Sequence, residues 1–128
     1  MQDIISLYRN YPKYDNLEDI DLLQHIKPSI FLNQYKKHYF DSKLVGFTNW
    51  AYLSDDAFNN FKKTAKIKYT EWNSGDNLVF VEFIALSNVR KIFKWCINMA
   101  SKFKGIKDNF TWLRVDNNQI KRMVVKEI

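Results

Sequence analysis

The sequence predicts a mixed α/β fold, a mostly antiparallel sheet of about five strands with helices on both faces. Three observations carry that reading. Residues 78–86, LVFVEFIAL, are almost continuously apolar, the pattern of a central strand covered on both sides. Residues 88–103 follow with a 3.6-residue apolar period and lead into a further strand at 110–115, and such a crossover is right-handed and makes its two strands parallel. Residues 31–40 and 44–53 are aromatic and β-branched and flank the turn Asp41-Ser42-Lys43, so they read as an antiparallel hairpin.

The elements follow in order. Ile4, Ile5 and Tyr8 stand at helical spacing in a first segment that Pro12 ends. Asn16 is placed as an N-cap, with Glu18 and Asp19 in the first turn, where acids suit the helix dipole. Leu17, Ile20, Leu23 and Ile26 make the apolar stripe of a short helix expected to stop before Pro28. After the hairpin, Ser54 with Asp55 and Asp56 opens a helix that presents Ala57, Phe58, Phe61 and Ala65 on one side, and Asn73-Ser74-Gly75-Asp76 is a turn. In the helix after the central run, Val89, Ile92, Phe93, Cys96, Ala100 and Phe103 share one arc. Arg90 and Lys94 lie on its flank, Lys91 and Lys102 lie behind, and Trp95 falls on the polar side. Gly105 is the expected stop, Asp116-Asn117-Asn118 a turn, and residues 119–127 a closing strand. No internal repeat or boundary is visible, and residues 1–128 read as a single domain.

Composition narrows the function classes. Hydrophobic residues at 46% and charged residues at 27% exclude disorder and low complexity. No apolar run is long enough to span a membrane, and the N-terminal residues lack the basic and apolar regions of a signal peptide. Cys96 is the sole cysteine, which excludes an intramolecular disulfide framework and a multi-cysteine zinc site; a reducing, cytoplasmic setting is expected. The net charge of +6 arises wholly in residues 65–128, where twelve basic groups face six acidic ones. Arg90, Lys91, Lys94, Lys102, Lys104 and Lys107 form a patch suited to an acidic protein, a phosphate or a nucleic acid.

No phosphate-loop, dinucleotide, HExxH or CxxC motif is present, and neither a metal nor a tightly bound cofactor is expected. His25 and His38, the only histidines, read as surface or half-buried side chains. Cys96 reads as a buried, inert thiol, and the four tryptophans as core. Glu82 stands apart: a carboxylate in the middle of a buried strand must be paired, protonated or functional. Strict alternation puts it on one face with Leu78, Phe80 and Ile84. The open alternatives are a salt bridge to Arg114 on the neighbouring strand and a site residue.

Several local blocks then take on meaning together. Gly46-Phe47-Thr48-Asn49-Trp50-Ala51-Tyr52-Leu53-Ser54 resembles the G-[FY]-x-x-W-A-x-L-S strand and turn of the toxin-activating lysine acyltransferases. Glu71-Trp72-Asn73-Ser74-Gly75-Asp76 resembles their D-W-x-S-G-D turn, and Phe80-Val81-Glu82-Phe83-Ile84-Ala85 their W-[FIL]-[IV]-D-[WFL]-I-A strand. Leu7-Tyr8-Arg9-Asn10-Tyr11-Pro12 is similar to L-H-R-x-[WY]-P, Leu32-Asn33-Gln34-Tyr35 to x-x-Q-[FY], and Leu113-Arg114-Val115-Asp116 to the late R-x-[RD] strand end. The blocks keep the family's order across residues 7–116.

The resemblance implies a GNAT-like fold and transfer of a fatty acyl group from acyl carrier protein, ACP, to a lysine ε-amine of a protein. ACP is acidic, which gives the basic helix a partner: Arg90, Lys91 and Lys94, with Arg114, are the expected carrier- or substrate-binding residues. The family's catalytic histidine and aspartate fall on Tyr8 and Glu82, so the expected pair is Glu82 as proton acceptor and Tyr8 as acid towards the leaving thiolate. The family pattern also implies a C-terminal extension that these residues do not contain, and the glycine-rich pyrophosphate loop of CoA-dependent relatives is absent. The alternative is the same scaffold without the reaction, a basic module that holds an acidic protein or a nucleic acid; a second copy of the chain, as a homodimer, is a further candidate partner.

Overall fold

A computed structural model describes residues 1–11, 14, 16–102, 109–116 and 119–127, the last two stretches as backbone. Helix α1 (Gln2–Tyr8) and helix α2 (Asp19–Phe31) precede strands β1 (Tyr35–Phe40) and β2 (Lys43–Leu53). Helix α3 (Asp55–Thr64) and a 3-10 turn (Tyr69–Glu71) lead to strand β3 (Asn77–Ala85). Helix α4 (Val89–Ser101), strand β4 (Asn109–Asp116) and strand β5 (Gln119–Glu127) follow. The architecture is mixed α/β. β1, β2 and β3 are antiparallel neighbours, β4 pairs parallel to β3 at Val79↔Thr111 and Phe80↔Trp112, and β5 pairs antiparallel to β4. Among the described residues no helix is long and apolar enough to cross a membrane.

Local chemistry accounts for most boundaries. Asp41 and Ser42 both take positive φ, 51° and 64°, the geometry of a two-residue hairpin turn that matches strand twist. Ser54 caps α3 by accepting the Ala57 N–H at 3.1 Å, and its turn of acids precedes a last turn holding Lys62 and Lys63. α1, α2 and α3 cover one face of the sheet. Ile4, Ile5, Leu7, Tyr8, Leu22 and Ile26 pack on Phe47 and Ile84, while Ala57, Phe61 and Trp72 pack on Ala51, Leu53 and Val79. α4 covers the other face, with Cys96, Met99 and Ala100 against Trp50, Leu78 and Phe80.

The structure corrects four expectations. α2 does not stop before Pro28; it runs through it to Phe31, so β1 begins at Tyr35 rather than at residue 31. Proline removes one donor from the helix, but burial of Leu22, Ile26, Pro28 and Ser29 holds the segment helical. The turn ends at Asn33, at φ 56°, with the Gln34 N–H donating to the Ser29 carbonyl at 2.8 Å. The buried stripe of α2 is accordingly Leu22, Ile26 and Ser29, and Leu17 and Ile20 are exposed. The expected cap at Asn16 falls to Glu18, whose side chain makes no capping bond. Trp95 is turned inward onto His38 and Trp50, at ring separations of 5.2 and 5.7 Å, because the α4 stripe is broad enough to include it. His38 is buried at 5% exposure. The expected helix end at Phe103 and Gly105, and the turn at Asn117-Asn118, lie outside the described residues.

The fourth correction matters most for function. Asn49 pairs with Glu82, but Trp50 pairs with Phe80, so Val81 is an extra residue in β3. This β-bulge breaks the alternation. Leu78, Phe80 and Phe83 face α4, whereas Val79, Val81 and Ile84 pack on the α1–α3 side. Glu82 therefore parts from Leu78 and Phe80 and shares the opposite face with Ile84 and Val79.

Candidate active site

The Glu82 side chain is 11% exposed and meets His25 of α2, Oε1 against Nε2. Its backbone N–H donates to Asn49 Oδ1 at 2.8 Å, a bond made available by the adjacent bulge. Asn49 Nδ2 donates to the Ser29 hydroxyl at 2.9 Å, and that hydroxyl donates to the Ile26 carbonyl at 2.7 Å. One buried amide thus ties the turn of α2 that carries His25 to the strand that carries Glu82. His25 and Ser29 are four residues apart, on one side of the helix.

Tyr8 comes from the other direction. It is fully buried on α1, its ring edge-on to Tyr14 at 4.9 Å. Burial, and then the charge of Glu82, hold its phenol well above the ordinary value. The Tyr8 hydroxyl lies close enough to feel that carboxylate, yet it makes no hydrogen bond of ordinary geometry among the described residues. Tyr14 is raised by the same two causes, burial first and Glu82 second. Glu82 is thus surrounded by His25, Tyr8 and Tyr14. Arg9 donates to the Tyr14 carbonyl at 2.6 Å and to Asp19 at 2.7 Å. Tyr11 closes the end of β3, its hydroxyl donating to the Ala85 carbonyl at 3.0 Å and accepting from the Ala85 N–H at 3.1 Å.

A groove of about 400 Å³ opens between α2 and the segment 65–72. Asp21, Gln24 and His25 form one wall, Lys66, Ile67 and Tyr69 the other, and Pro28, Trp72 and Val81 also line it. His25 is half exposed there, at 51%, and so stands between solvent and the buried carboxylate. Among the described residues no group of three or more His, Cys, Asp or Glu side chains is placed to hold a metal ion.

The structure thus brings Tyr8 and Glu82 into one cluster. Arg90, Lys91 and Lys94 are exposed on α4, across the sheet from that cluster, and the Lys91 ammonium sits 5.4 Å from the Phe40 ring. The side chain of Arg114 lies outside the described residues, and the ion pair Glu82 makes is with His25. His25 is the residue that sequence reading passed over. Its signal was spacing: it stands three residues after Leu22 and four before Ser29, at the edge of the stripe that is buried once α2 runs through Pro28.

Other blocks prove to be supports. Gln34 Nε2 donates to the carbonyls of Trp50 and Trp72, at 2.9 and 3.1 Å. Gly75 is required by close approach, since a Cβ there would lie 2.5 Å from the Leu53 carbonyl oxygen. His38, on the α4 face, meets Thr48 Oγ1 at 2.8 Å, and burial lowers its pKa to about 4. Burial likewise pushes the Cys96 thiol up to about 12, which leaves it inert.

Comparison with known proteins gives these residues a context. The sequence profile of the RTX toxin acyltransferase family matches residues 1–128. The leukotoxin-activating lysine-acyltransferase LtxC of Aggregatibacter actinomycetemcomitans is 30% identical over 80 residues, 62% of this chain and 48% of that protein. The RTX-II toxin-activating lysine-acyltransferase ApxIIC of Actinobacillus pleuropneumoniae is 28% identical over 83 residues, 64% of this chain and 52% of that protein. The matched part of the chain thus spans about half the length of these curated relatives.

Proposed function

Because this chain belongs to the RTX toxin acyltransferase family, we propose that it moves a fatty acyl group from acyl carrier protein to a lysine ε-amine of a protein acceptor, as a single cytoplasmic domain of GNAT-like type. The observation that carries the reading is Glu82. A carboxylate re-aimed by a bulge, 11% exposed, paired with a histidine and ringed by two tyrosines is an arrangement that moves protons. Both of these relatives are lysine acyltransferases by name. The parallel pairing of β3 with β4 beside an antiparallel unit supports a GNAT-like sheet of about five strands.

Aminolysis of a thioester requires a neutral amine, an acceptor for its proton and support for the departing thiolate. In this reading Glu82 governs the proton acceptor. Tyr8, at the other catalytic position of the family, is sealed from solvent and retains its proton, so it bounds the carboxylate from beneath. Arg90, Lys91 and Lys94, with Arg114, attract the acidic carrier.

The experiment is incubation with a series of saturated acyl-ACPs and an RTX toxin, read by mass spectrometry for loss of acyl from the carrier and its gain on lysine. Glu82→Gln should slow transfer at least ~100-fold with the fold retained. Reversal of Arg90 and Lys94 to Glu should weaken carrier binding and remove its salt dependence. No discharge of any acyl-ACP by the wild type overturns the reading in favour of a binding module.

A further inference from the structure

We infer that His25 is the catalytic acid–base of this site, filling from α2 the role that the family's pattern gives to the position held here by Tyr8. The inference rests on the acyltransfer reading and names the side chain that carries the proton. Three independent features of the structure point to it.

The first is contact. His25 Nε2 meets Glu82 Oε1, the pairing of a base with a carboxylate that orients it. The second is graded access. His25 is 51% exposed, Glu82 11%, and Tyr8 is fully buried, so the imidazole is the member of the three that solvent reaches most readily. The third is the groove. His25 lines it together with Asp21, Gln24 and Trp72, and neither Glu82 nor Tyr8 does. The Asn49–Ser29 bond pins the helical turn on which the imidazole is mounted, so its placement is built into the fold.

The chemistry follows from which nitrogen faces the carboxylate. An ionised Glu82 accepts a hydrogen bond from Nε2–H, which assigns the lone pair to Nδ1. A lysine that has already released its ammonium proton to water attacks the thioester carbonyl carbon. As the C–N bond forms, the carbonyl becomes an oxyanion and one N–H proton passes to Nδ1. Collapse of the tetrahedral adduct breaks the C–S bond, and the imidazolium returns that proton to the departing thiolate. The products are an amide and a thiol, and the imidazole is restored. An imidazole changes charge near neutrality and can serve in both directions, which a buried phenol cannot.

The test compares His25→Gln and His25→Ala with wild type, using acyl-ACP and toxin in the mass-spectrometric assay. His25→Gln should lose at least ~100-fold in the rate of amide formation. Imidazole added to the buffer should restore part of the loss in His25→Ala, which a structural role would not show. In a separate readout, nitrogen NMR near pH ~8 should find His25 as the Nε2–H tautomer in wild type and as a mixture in Glu82→Gln. Transfer by His25→Gln within about threefold of wild type overturns the inference and leaves the acyltransfer reading standing. So does a wild-type Nδ1–H tautomer. A wild type that discharges no acyl-ACP overturns both.

Discussion

Replacing Asn49 with alanine removes the β2 side chain that bonds both α2, at Ser29, and β3, at the Glu82 N–H. Asn49 is fully buried, accepting from the Glu82 N–H at 2.8 Å and donating to Ser29 at 2.9 Å. Truncation leaves a buried N–H without an acceptor, which costs about 1–3 kcal/mol. Ser29 keeps its bond to the Ile26 carbonyl, so its share is nearer ~0.5–1 kcal/mol. The vacated volume adds about 1 kcal/mol, for a loss near 3 kcal/mol. Unfolding entropy of ~2.1 cal/mol/K per residue over 128 residues converts this to a fall of about 11 °C in Tm. Circular dichroism with heat and urea measures it, with an unchanged urea slope as the check on two-state behaviour. Ser29→Ala should cost about 1 kcal/mol, and the double variant should fall short of additivity by ~0.5–1 kcal/mol because the shared bond is counted once. An Asn49→Ala Tm within about 3 °C of wild type, or a strictly additive cycle, refutes the reasoning.

Two further outcomes follow from particular groups. His38 takes a proton near pH 6.5 when unfolded but only near 4 when folded, so stability that is complete above pH 6.5 is lost as the pH falls through that window, by up to about 3 kcal/mol. Urea titrations at several pH values should show this slope in wild type and not in His38→Gln; equal slopes in the two remove the histidine from the account. Gly75→Ala places a Cβ 2.5 Å from the Leu53 carbonyl and 2.6 Å from the Ser54 backbone, atoms that cannot yield singly, and should cost about 1–3 kcal/mol in thermal denaturation. A Tm equal to that of wild type shows that the approach relaxes.

The elements whose signals are local were legible in the sequence. The Ser54 cap, the Asp41-Ser42 turn, the apolar run of β3 and the period of α4 each depend on neighbours within a few residues. The misreadings share a different origin, since each is decided by packing at long range. Pro28 remains helical because its turn is buried and bonded to β2 through Asn49. Glu82 changes face because of Val81, an apolar residue in an apolar run that carries no mark of being extra. His25 was visible as a residue but not as a partner, because the frame of α2 had been set by Leu17 and Ile20, which the structure exposes. The carboxylate was found from its incongruity with its surroundings; the imidazole, half in solvent, is incongruous with nothing.

The bulge at Val81 is a surplus residue that β3 absorbs without disturbing its neighbours in the sheet. On either side of that residue β3 keeps a regular two-residue rhythm, and both halves of its apolar lining are served by helices already in place. Phe80 and Glu82 therefore stand on opposite faces, as they would if they were direct neighbours in a regular strand. Removing Val81 alone would leave Glu82, Phe83 and Ile84 on the faces they already hold, so a one-residue deletion there straightens the strand and leaves the acid beneath α2.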